Sequence, residues 1–283
     1  MAIRHVRNTL QGRFQMKKII ALGPGHSVRA KADSIKNNNE YEVLAFQRTF
    51  PHCLAVLGIE PDYWTATDPF AFLEGLEYIT NNKQTIKTQI LVPDVFTTNT
   101  ANYRLHFGTT PLLRQQNGWQ TLQDLLEMAK QYCKVKTIPV TTTKYLSRQG
   151  DLPGPIFGED PFFRFMSDKV IIGSVPFDSE SVIGTKFTWG LENKLSSSVF
   201  PICTHIRAEE VCVIGFDLYG PRFYSSDSRH PWSDETQKDN AISIPLGIIK
   251  KWTEWTNLHN MKIYSASNPN ETLLSKVLET KEI

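Results

Sequence analysis

KKIIALGPGHS, residues 17–27, combines a short apolar run with two glycines one residue apart. The run from Ile19 to Leu22 is typical of a strand buried on both faces at the centre of a parallel sheet. Gly23 and Gly25 predict a tight turn that brings backbone N–H groups close to a ligand, and Ser27 predicts a helix cap at a helix end that favours an anion. The stretch therefore predicts a phosphate site, or else an ordinary strand-to-helix turn.

Two common nucleotide-binding motifs do not fit this turn. The dinucleotide fingerprint needs a third glycine where Val28 stands, and an acid about 20 residues further on, where the chain reads Ala45-Phe46-Gln47. A Walker A loop needs a Lys-Ser or Lys-Thr pair directly after a glycine, which the sequence lacks. NAD binding and ATP hydrolysis are therefore disfavoured, and a nucleotide held by another geometry stays open.

Length and composition predict one α/β domain, or such a domain with a small lid. The chain has 283 residues, of which 40% are hydrophobic, enough for one sizeable core. The net charge of +2 is too small to indicate a nucleic-acid partner, because such binding needs many phosphate contacts. No apolar run approaches the roughly 18 to 20 residues that span a bilayer, and the N-terminus lacks the pattern of a secretory signal. We expect a cytoplasmic protein.

The cysteine spacing predicts neither a metal site nor a disulfide framework. The four cysteines form no CxxC pair and have no histidine at metal-ligand spacing. We expect reduced, buried thiols and no bound metal at Cys53, Cys133, Cys203 and Cys212.

The domain organisation follows from where the first strand begins. Residues 1–15 precede it and are expected to be an N-terminal extension, and residues 16–283 form the α/β domain. Residues 1–32 carry seven Lys or Arg residues and no acid, so a peripheral membrane contact is the alternative for the extension. Residues 141–168 are rich in proline and phenylalanine, which predicts an irregular insert that serves as a lid or as a contact between copies of the chain.

Strands and helices alternate along the chain, which predicts a parallel sheet with helices on both faces. Asp68 ends the third predicted strand, directly before Pro69 at the start of a helix, where it either binds a ligand or caps that helix. The predicted strands are 19–22, 41–46, 62–67, 88–92, 136–140, 170–173, 210–215 and 261–264, and the predicted helices include 28–37, 119–133, 196–206, 236–258 and one from residue 271.

The densest group of reactive side chains follows the strand 210–215. Phenol and guanidinium groups can bind a phosphate, and an imidazole can accept a proton near neutral pH. The segment GFDLYGPRFYSSDSRHPWSDE, residues 215–235, supplies these groups at Tyr219, Arg222, Tyr224, Arg229 and His230, together with the carboxylates of Asp217 and Asp227.

The order of these motifs resembles that of the bacterial sialyltransferases of glycosyltransferase family 42, which act on lipooligosaccharide. Those enzymes carry a strand with a Gly-x-Gly-x-Ser turn, a serine-led helix, a strand ending in Gly-x-Asp-x-Tyr, a second tyrosine, and a histidine before a long helix. In this chain the motifs are GPGHS at 23–27, Ser196 to Ser198, GFDLY at 215–219, Tyr224 and His230. The match covers residues 18–67 and 194–264.

The resemblance implies a single Rossmann-like sheet, a variant of the GT-A fold, and a transfer without metal of a sugar from a CMP-linked donor to a glycan hydroxyl. It implies that His230 is the general base and that Tyr219 and Tyr224 hydrogen-bond the leaving phosphate. It also implies that Lys194, near the position of a family arginine, supplies the positive charge that neutralises the phosphate. The donor is a substrate, so no cofactor is implied. The implied nucleotide-binding residues are Gly23, Gly25, Ser27, Gln47, Asp68, Lys194, Ser197 and Asp217.

Several positions depart from the family pattern. Pro24, Gln47 and Asp68 stand where the family has asparagines, and the lid loop 219–233 is shorter than the family's. Residues 141–168 are an alternative cover for the site. Two other interpretations stay open: a pyrophosphokinase-like protein that needs ATP and a divalent ion, and a nucleotide-binding protein without catalysis. The transferase hypothesis requires the glycine turn and the loop after residue 215 to line one crevice.

Overall fold

An eight-stranded sheet forms the centre of the fold, and every pair of neighbouring strands in it is parallel. The computed structural model describes residues 17–66, 69–93, 116–138, 140–142, 170–172, 199–217, 222–224, 246, 249–250, 253, 260–270 and 272–283. The strands are β1 Lys17–Leu22, β2 Glu42–Phe46, β3 Tyr63–Thr65, β4 Gln89–Pro93, β5 Lys134–Ile138, β6 Val140–Thr142, β7 Val170–Ile172, β8 Ala208–Ile214, β9 Lys262–Ser265 and β10 Glu279–Thr280.

The strand order places β1 at the middle of the sheet. The order is β10-β9-β8-β1-β2-β3-β4-β5, and β6 and β7 form a separate parallel pair. From β1 the chain adds β2 to β5 on one side, and it later adds β8 to β10 on the other side. The direction therefore reverses between β1 and β8, and open α/β sheets bind ligands at the carboxyl end of such a switch point.

Both faces of the sheet are covered, as the alternation of strands and helices predicts. Ile19 and Ala21 of β1 face one apolar cluster, whereas Ile20 and Leu22 face another. The first cluster includes buried residues of the helices Pro69–Asn82, Gln116–Ala129 and Phe200–His205. The second includes Val28 and Ile35, which lie in the short helices Ser27–Ala30 and Ala32–Asn37. The predicted α/β class with helices on both faces is confirmed.

The helix bounds differ from the sequence-based ones at two places in the first half of the chain. The predicted helix 28–37 is two short helices, because Lys31 between them has φ −110° and ψ 4°. Helix Gln116–Ala129 ends four residues before the predicted Cys133. The helix Thr49–His52 continues as a π-helical turn, Cys53–Leu57, and Gly58 ends it with a left-handed φ of 62°.

The predicted helix from residue 271 is wrong. Leu273–Lys276 is a single 3-10 turn, whose start is capped by the Thr272 hydroxyl accepting from the Leu274 N–H. β10 follows and pairs with β9. Leu274 and Leu278 are both buried, and their spacing imitates a helix, although the chain leaves the 3-10 turn and pairs with β9 from Glu279 onward.

The four cysteines are free, as predicted; three are buried and Cys133 is half-buried. Burial raises the pKa of the Cys53 thiol to about 12 and that of the Cys212 thiol to about 11. These thiols stay protonated near neutral pH and are poor nucleophiles.

Several predicted segments fall outside the described residues. These are the extension 1–15, the insert 141–168 apart from its first two residues, and the loop 219–233 apart from Arg222 to Tyr224. Helix 236–258 is described only at four positions. Among the described helices, none is long and apolar enough to cross a membrane.

Candidate functional site

The carboxyl edge of the sheet gathers the polar segments that the sequence singles out. Residues 23–27 follow β1, Gln47 follows β2, residues 215–217 follow β8, and Ala266 and Ser267 follow β9. Because all of these strands are parallel, their carboxyl ends meet at one edge. The described part of the site lies at the switch point between β1 and β8.

The glycine turn and the loop after β8 are in direct contact. Gly25 and Arg222 form an antiparallel bridge, and the Phe223 N–H donates to the Pro24 carbonyl at 2.9 Å. The Arg29 Nε donates to the Phe223 carbonyl at 2.6 Å. The two distant segments therefore lie together at one edge of the sheet, as the transferase hypothesis requires, for residues 215–217 and 222–224.

A buried carboxylate holds the start of the helix that follows the turn. Asp217 is 2% exposed, and its Oδ2 accepts the Ser27 N–H at 3.0 Å. The Ser27 hydroxyl donates to Asp217 Oδ1 and accepts the Gly215 N–H at 3.1 Å. It also lies 2.9 Å from the Ser267 hydroxyl. Ser27 is thus the first residue of the helix and not its cap, and the anion at this helix end is the protein's own Asp217.

The turn's backbone N–H groups are also used within the protein. Gly23 N–H donates to the Ile214 carbonyl and Gly25 N–H to the Gly215 carbonyl, each at 2.7 Å. A Cβ at Gly23 would lie 2.4 Å from the Gly215 oxygen. The two glycines therefore allow β1 and β8 to approach each other closely, which differs from the expectation that their N–H groups face a phosphate.

His26 is a site residue that the sequence reasoning missed. Its Nδ1 lies 3.2 Å from Asp217 Oδ2, at an angle that makes no hydrogen bond, and the pair becomes ionic when the ring is protonated. The Nδ1 atom is buried while the side chain as a whole is 33% exposed, so the accessible area belongs to the other ring atoms. The available signal was its place between Gly25 and Ser27.

Tyr224 lies on the same edge, stacked on His52. The two ring centroids are 3.7 Å apart and the rings are inclined by 14°. Arg222 Nη1 donates to the Tyr224 hydroxyl at 3.4 Å. Burial raises the pKa of Tyr224, although Arg222 opposes this, and burial lowers the pKa of His52. Near neutral pH the phenol therefore keeps its proton and the imidazole is uncharged. His52 is a second residue that the sequence reasoning missed, and no motif around it indicated a role in the site.

Gln47 has a left-handed backbone at the carboxyl end of β2. Its φ is 57°, which is uncommon for a residue other than glycine. Its N–H donates to the Thr65 carbonyl at 2.9 Å, and its carbonyl accepts the Trp64 indole N–H at 2.9 Å. These two bonds to β3 hold the strained backbone in place, and such strain is found at functional sites more often than elsewhere.

The structure brings together Gly23, Gly25, Ser27, Asp217 and Tyr224, and it places Gln47 on the same edge. No three His, Cys, Asp or Glu side chains among the described residues lie close enough together to hold a metal ion. The remaining candidates lie outside the described residues, namely Asp68, Lys194, Ser197, Tyr219 and His230.

Comparison with solved structures finds sialyltransferases from Campylobacter jejuni, the class of enzyme that the motif order resembles. CstII in complex with the substrate analogue CMP-3FNeuAc is 15% identical, with 94% of this chain and 86% of that chain covered and a TM-score of 0.44. CstII with a trisaccharide acceptor and CMP is 13% identical, with coverage of 93% and 86% and a TM-score of 0.44. The monofunctional α-2,3-sialyltransferase Cst-I is 12% identical, with coverage of 96% and 83% and a TM-score of 0.44.

Neither family models nor curated protein sequences match the chain. The structural likenesses are distant, with identities of 15% or less in these three comparisons. What the protein does must therefore be inferred from its own residues.

Proposed function

We propose that the chain is a glycosyltransferase of the sialyltransferase type, which transfers a sugar from a CMP-linked donor to a hydroxyl of a glycan acceptor without a metal ion. One observation carries the proposal. The glycine turn after β1 and the tyrosine-bearing loop after β8 are in direct contact at the switch point of the sheet, through the Gly25–Arg222 bridge and the Ser27–Asp217 hydrogen bonds. A ligand bound at the switch point meets both motifs at once.

The proposed reaction is a single displacement at the anomeric carbon. The acceptor oxygen forms a bond to that carbon while the bond from the carbon to the phosphate oxygen breaks, and CMP leaves with the electron pair. His230 takes the hydroxyl proton, and the Tyr219 and Tyr224 phenols donate to the phosphate as its charge grows. The raised pKa of Tyr224 supports this role, because the phenol keeps the proton that it must donate.

The nucleotide is proposed to lie along the carboxyl edge against Gly23, Gly25, Ser27, Gln47 and Asp217. The hydrogen bonds of Ser27 and Asp217 give these two residues the role of shaping the turn. Asp68, Lys194 and Ser197 complete the proposed nucleotide site from outside the described residues.

The test is hydrolysis and transfer of the donor sugar. The full chain is incubated with CMP-sialic acid and with other nucleotide sugars, with EDTA and with added Mg²⁺, and free nucleotide is measured. We expect turnover of a CMP-linked donor that EDTA does not reduce. Replacing His230 by Ala should lower the rate by about 10²- to 10⁴-fold, the usual contribution of a general base.

His205→Ala is the matched control, because His205 ends a helix that leads into the amino end of β8, at the opposite edge of the sheet. It should keep the rate of the unmodified chain. Full turnover by His230→Ala would remove the assigned base, and strict dependence on ATP and Mg²⁺ would favour a pyrophosphokinase-like activity instead.

A further inference from the structure

A phosphate bound at this switch point needs hydrogen-bond donors that the protein has not already used. The N–H groups of Gly23 and Gly25 donate to carbonyls at the end of β8, and the N–H of Ser27 donates to Asp217. The Asp217 carboxylate, which contacts Ser27, also places a negative charge next to the turn. Because these three N–H groups are occupied, we expect side chains with positive charge or O–H groups to supply most of the phosphate contacts.

Arg222 is positioned for this task. Its backbone pairs with that of Gly25, so Arg222 lies beside the glycine turn, and the residue is exposed. Among the described residues it makes no ion pair. The nearby Glu74 carboxylate forms an ion pair with Arg48, whose Nε lies 2.7 Å from it. Glu74 is therefore paired with a different guanidinium.

Tyr224 places a second donor next to the guanidinium. Arg222 Nη1 and the Tyr224 hydroxyl are 3.4 Å apart, a spacing at which both can donate to oxygens of one phosphate. The position of the phenol depends on the ring beneath it. Two rings at a centroid distance of 3.7 Å and nearly parallel are in full stacking contact, and His52 supplies that contact from the helix after β2.

We propose that Arg222 and Tyr224 form a phosphate-binding pair for the nucleotide and that His52 is a positioning residue that holds the Tyr224 ring by stacking. This inference rests on the proposed function, and it adds two residues that the family resemblance does not supply. An uncharged His52 suits the role, because burial disfavours the imidazolium and Arg222 and Arg48 would repel it, although Glu74 favours it.

The experiment measures binding of CMP and of cytidine to the full chain by isothermal titration calorimetry, with UMP and AMP and their nucleosides in parallel. Cytidine lacks the phosphate, so the ratio of CMP affinity to cytidine affinity isolates the phosphate contacts. Arg222→Gln should lower CMP affinity about tenfold or more, because that is the usual cost of losing a charged hydrogen bond. It should leave cytidine affinity unchanged. Arg222→Lys should retain part of the affinity, since lysine keeps the positive charge but lacks the planar set of N–H donors of the guanidinium.

His52 is tested by a matched pair of variants. His52→Phe keeps a flat ring against Tyr224, whereas His52→Ala removes it. We expect His52→Ala and Tyr224→Phe to lower the CMP-to-cytidine ratio several-fold, and His52→Phe to restore most of it. Arg207→Gln is the control for loss of an exposed positive charge, because Arg207 precedes β8 at the opposite edge.

The outcomes separate this inference from the proposed function. If CMP binds and Arg222→Gln keeps the full ratio, the phosphate pair is wrong and the transferase proposal stands. If UMP or AMP binds instead and Arg222→Gln removes its phosphate-dependent part, the donor is wrong and the pair stands. A His52→Phe variant as weak as His52→Ala would overturn the stacking role. Absence of any nucleotide binding would overturn both proposals.

Discussion

Gly25 is enclosed by its own chain at the point where β1 meets β8. A Cβ built there would lie 2.2 Å from Asp217 Oδ2 and 2.7 Å from the Gly215 oxygen, so either the buried carboxylate or the backbone must move. We expect Gly25→Ala to lower the free energy of unfolding by about 3 kcal/mol or more, the upper part of the range for overpacking. Urea denaturation measures this.

Gly58→Ala is the matched control for Gly25→Ala. Gly58 has φ 62° and no atom within 4 Å of the added Cβ, so alanine meets only the left-handed backbone cost of about 1–2 kcal/mol. Equal losses in the two variants would show that the close approach of the turn to Asp217 is not a significant constraint.

Asp217 connects the turn and the loop by accepting two hydrogen bonds from Ser27. Asp217→Asn keeps the shape of the side chain, but the NH₂ group cannot accept a hydrogen bond. One of the two Ser27 donors therefore loses its acceptor. We expect a loss of about 1–3 kcal/mol in the free energy of unfolding. In a double-mutant cycle with Ser27→Ala the losses should be less than additive. Strict additivity would mean that the Ser27 hydroxyl and the carboxylate do not act together.

The helix Thr49–His52 carries a group whose charge affects stability. Burial is the main cause of the lowered pKa of His52; Arg222 and Arg48 lower it further, and Glu74 opposes them. The unfolded chain therefore binds a proton at His52 more readily than the folded chain does. The stabilising contribution of the neutral ring is present above the unfolded pKa of about 6.5 and is lost as the pH falls towards the folded pKa.

The prediction is a pH-dependent difference between the unmodified chain and His52→Phe. Between about pH 7.5 and 5 the unmodified chain should lose stability relative to the variant, because phenylalanine does not titrate. Chemical denaturation at several pH values measures the difference. A constant difference over this range would show that His52 titrates alike in both states, and that its stacking on Tyr224 does not disfavour the imidazolium.

The elements of the sheet's centre could be predicted from the sequence because burial on both faces leaves a continuous apolar run, as in β1 and β8. The contact of the glycine turn with the loop after β8 followed from parallel topology alone. The His52–Tyr224 stack could not be predicted, because it depends on the register of two segments far apart in the chain. β10 was missed because two residues are too short for a pattern, and Leu274 and Leu278 have helical spacing.

At the scale of the whole molecule, the two edges of the sheet are protected in different ways. β5 carries the exposed Lys134 and Lys136, whose charges discourage pairing with another chain. The opposite edge ends in β10, which consists of two exposed residues. The proposed nucleotide site lies at the ends of the central strands, so edge protection and the proposed site use separate parts of the sheet.

The C-terminal segment protects the β9 edge and joins it to both faces of the sheet. Leu278 is buried in the first cluster, and Ile283 packs against the second. The Lys281 N–H donates to the Ser265 carbonyl at 2.9 Å, and Lys281 Nζ bonds Glu210 at 2.5 Å. This segment therefore combines apolar burial, strand pairing and an ion pair within a few residues.

A chain that ends at Lys276 should be less stable by several kcal/mol, because burial of a leucine alone contributes about 1.5–3 kcal/mol. It should also self-associate, since the backbone groups of β9 are then open to another chain. Lys281→Ala is the control: it removes the ion pair with Glu210 but keeps the buried apolar side chains and the strand pairing, so its loss of stability should be smaller than that of the shortened chain. Urea denaturation and light scattering measure both effects. A shortened chain that keeps its unfolding midpoint and stays monodisperse would mean that β10 covers no vulnerable edge, and that β9 is protected by side chains alone.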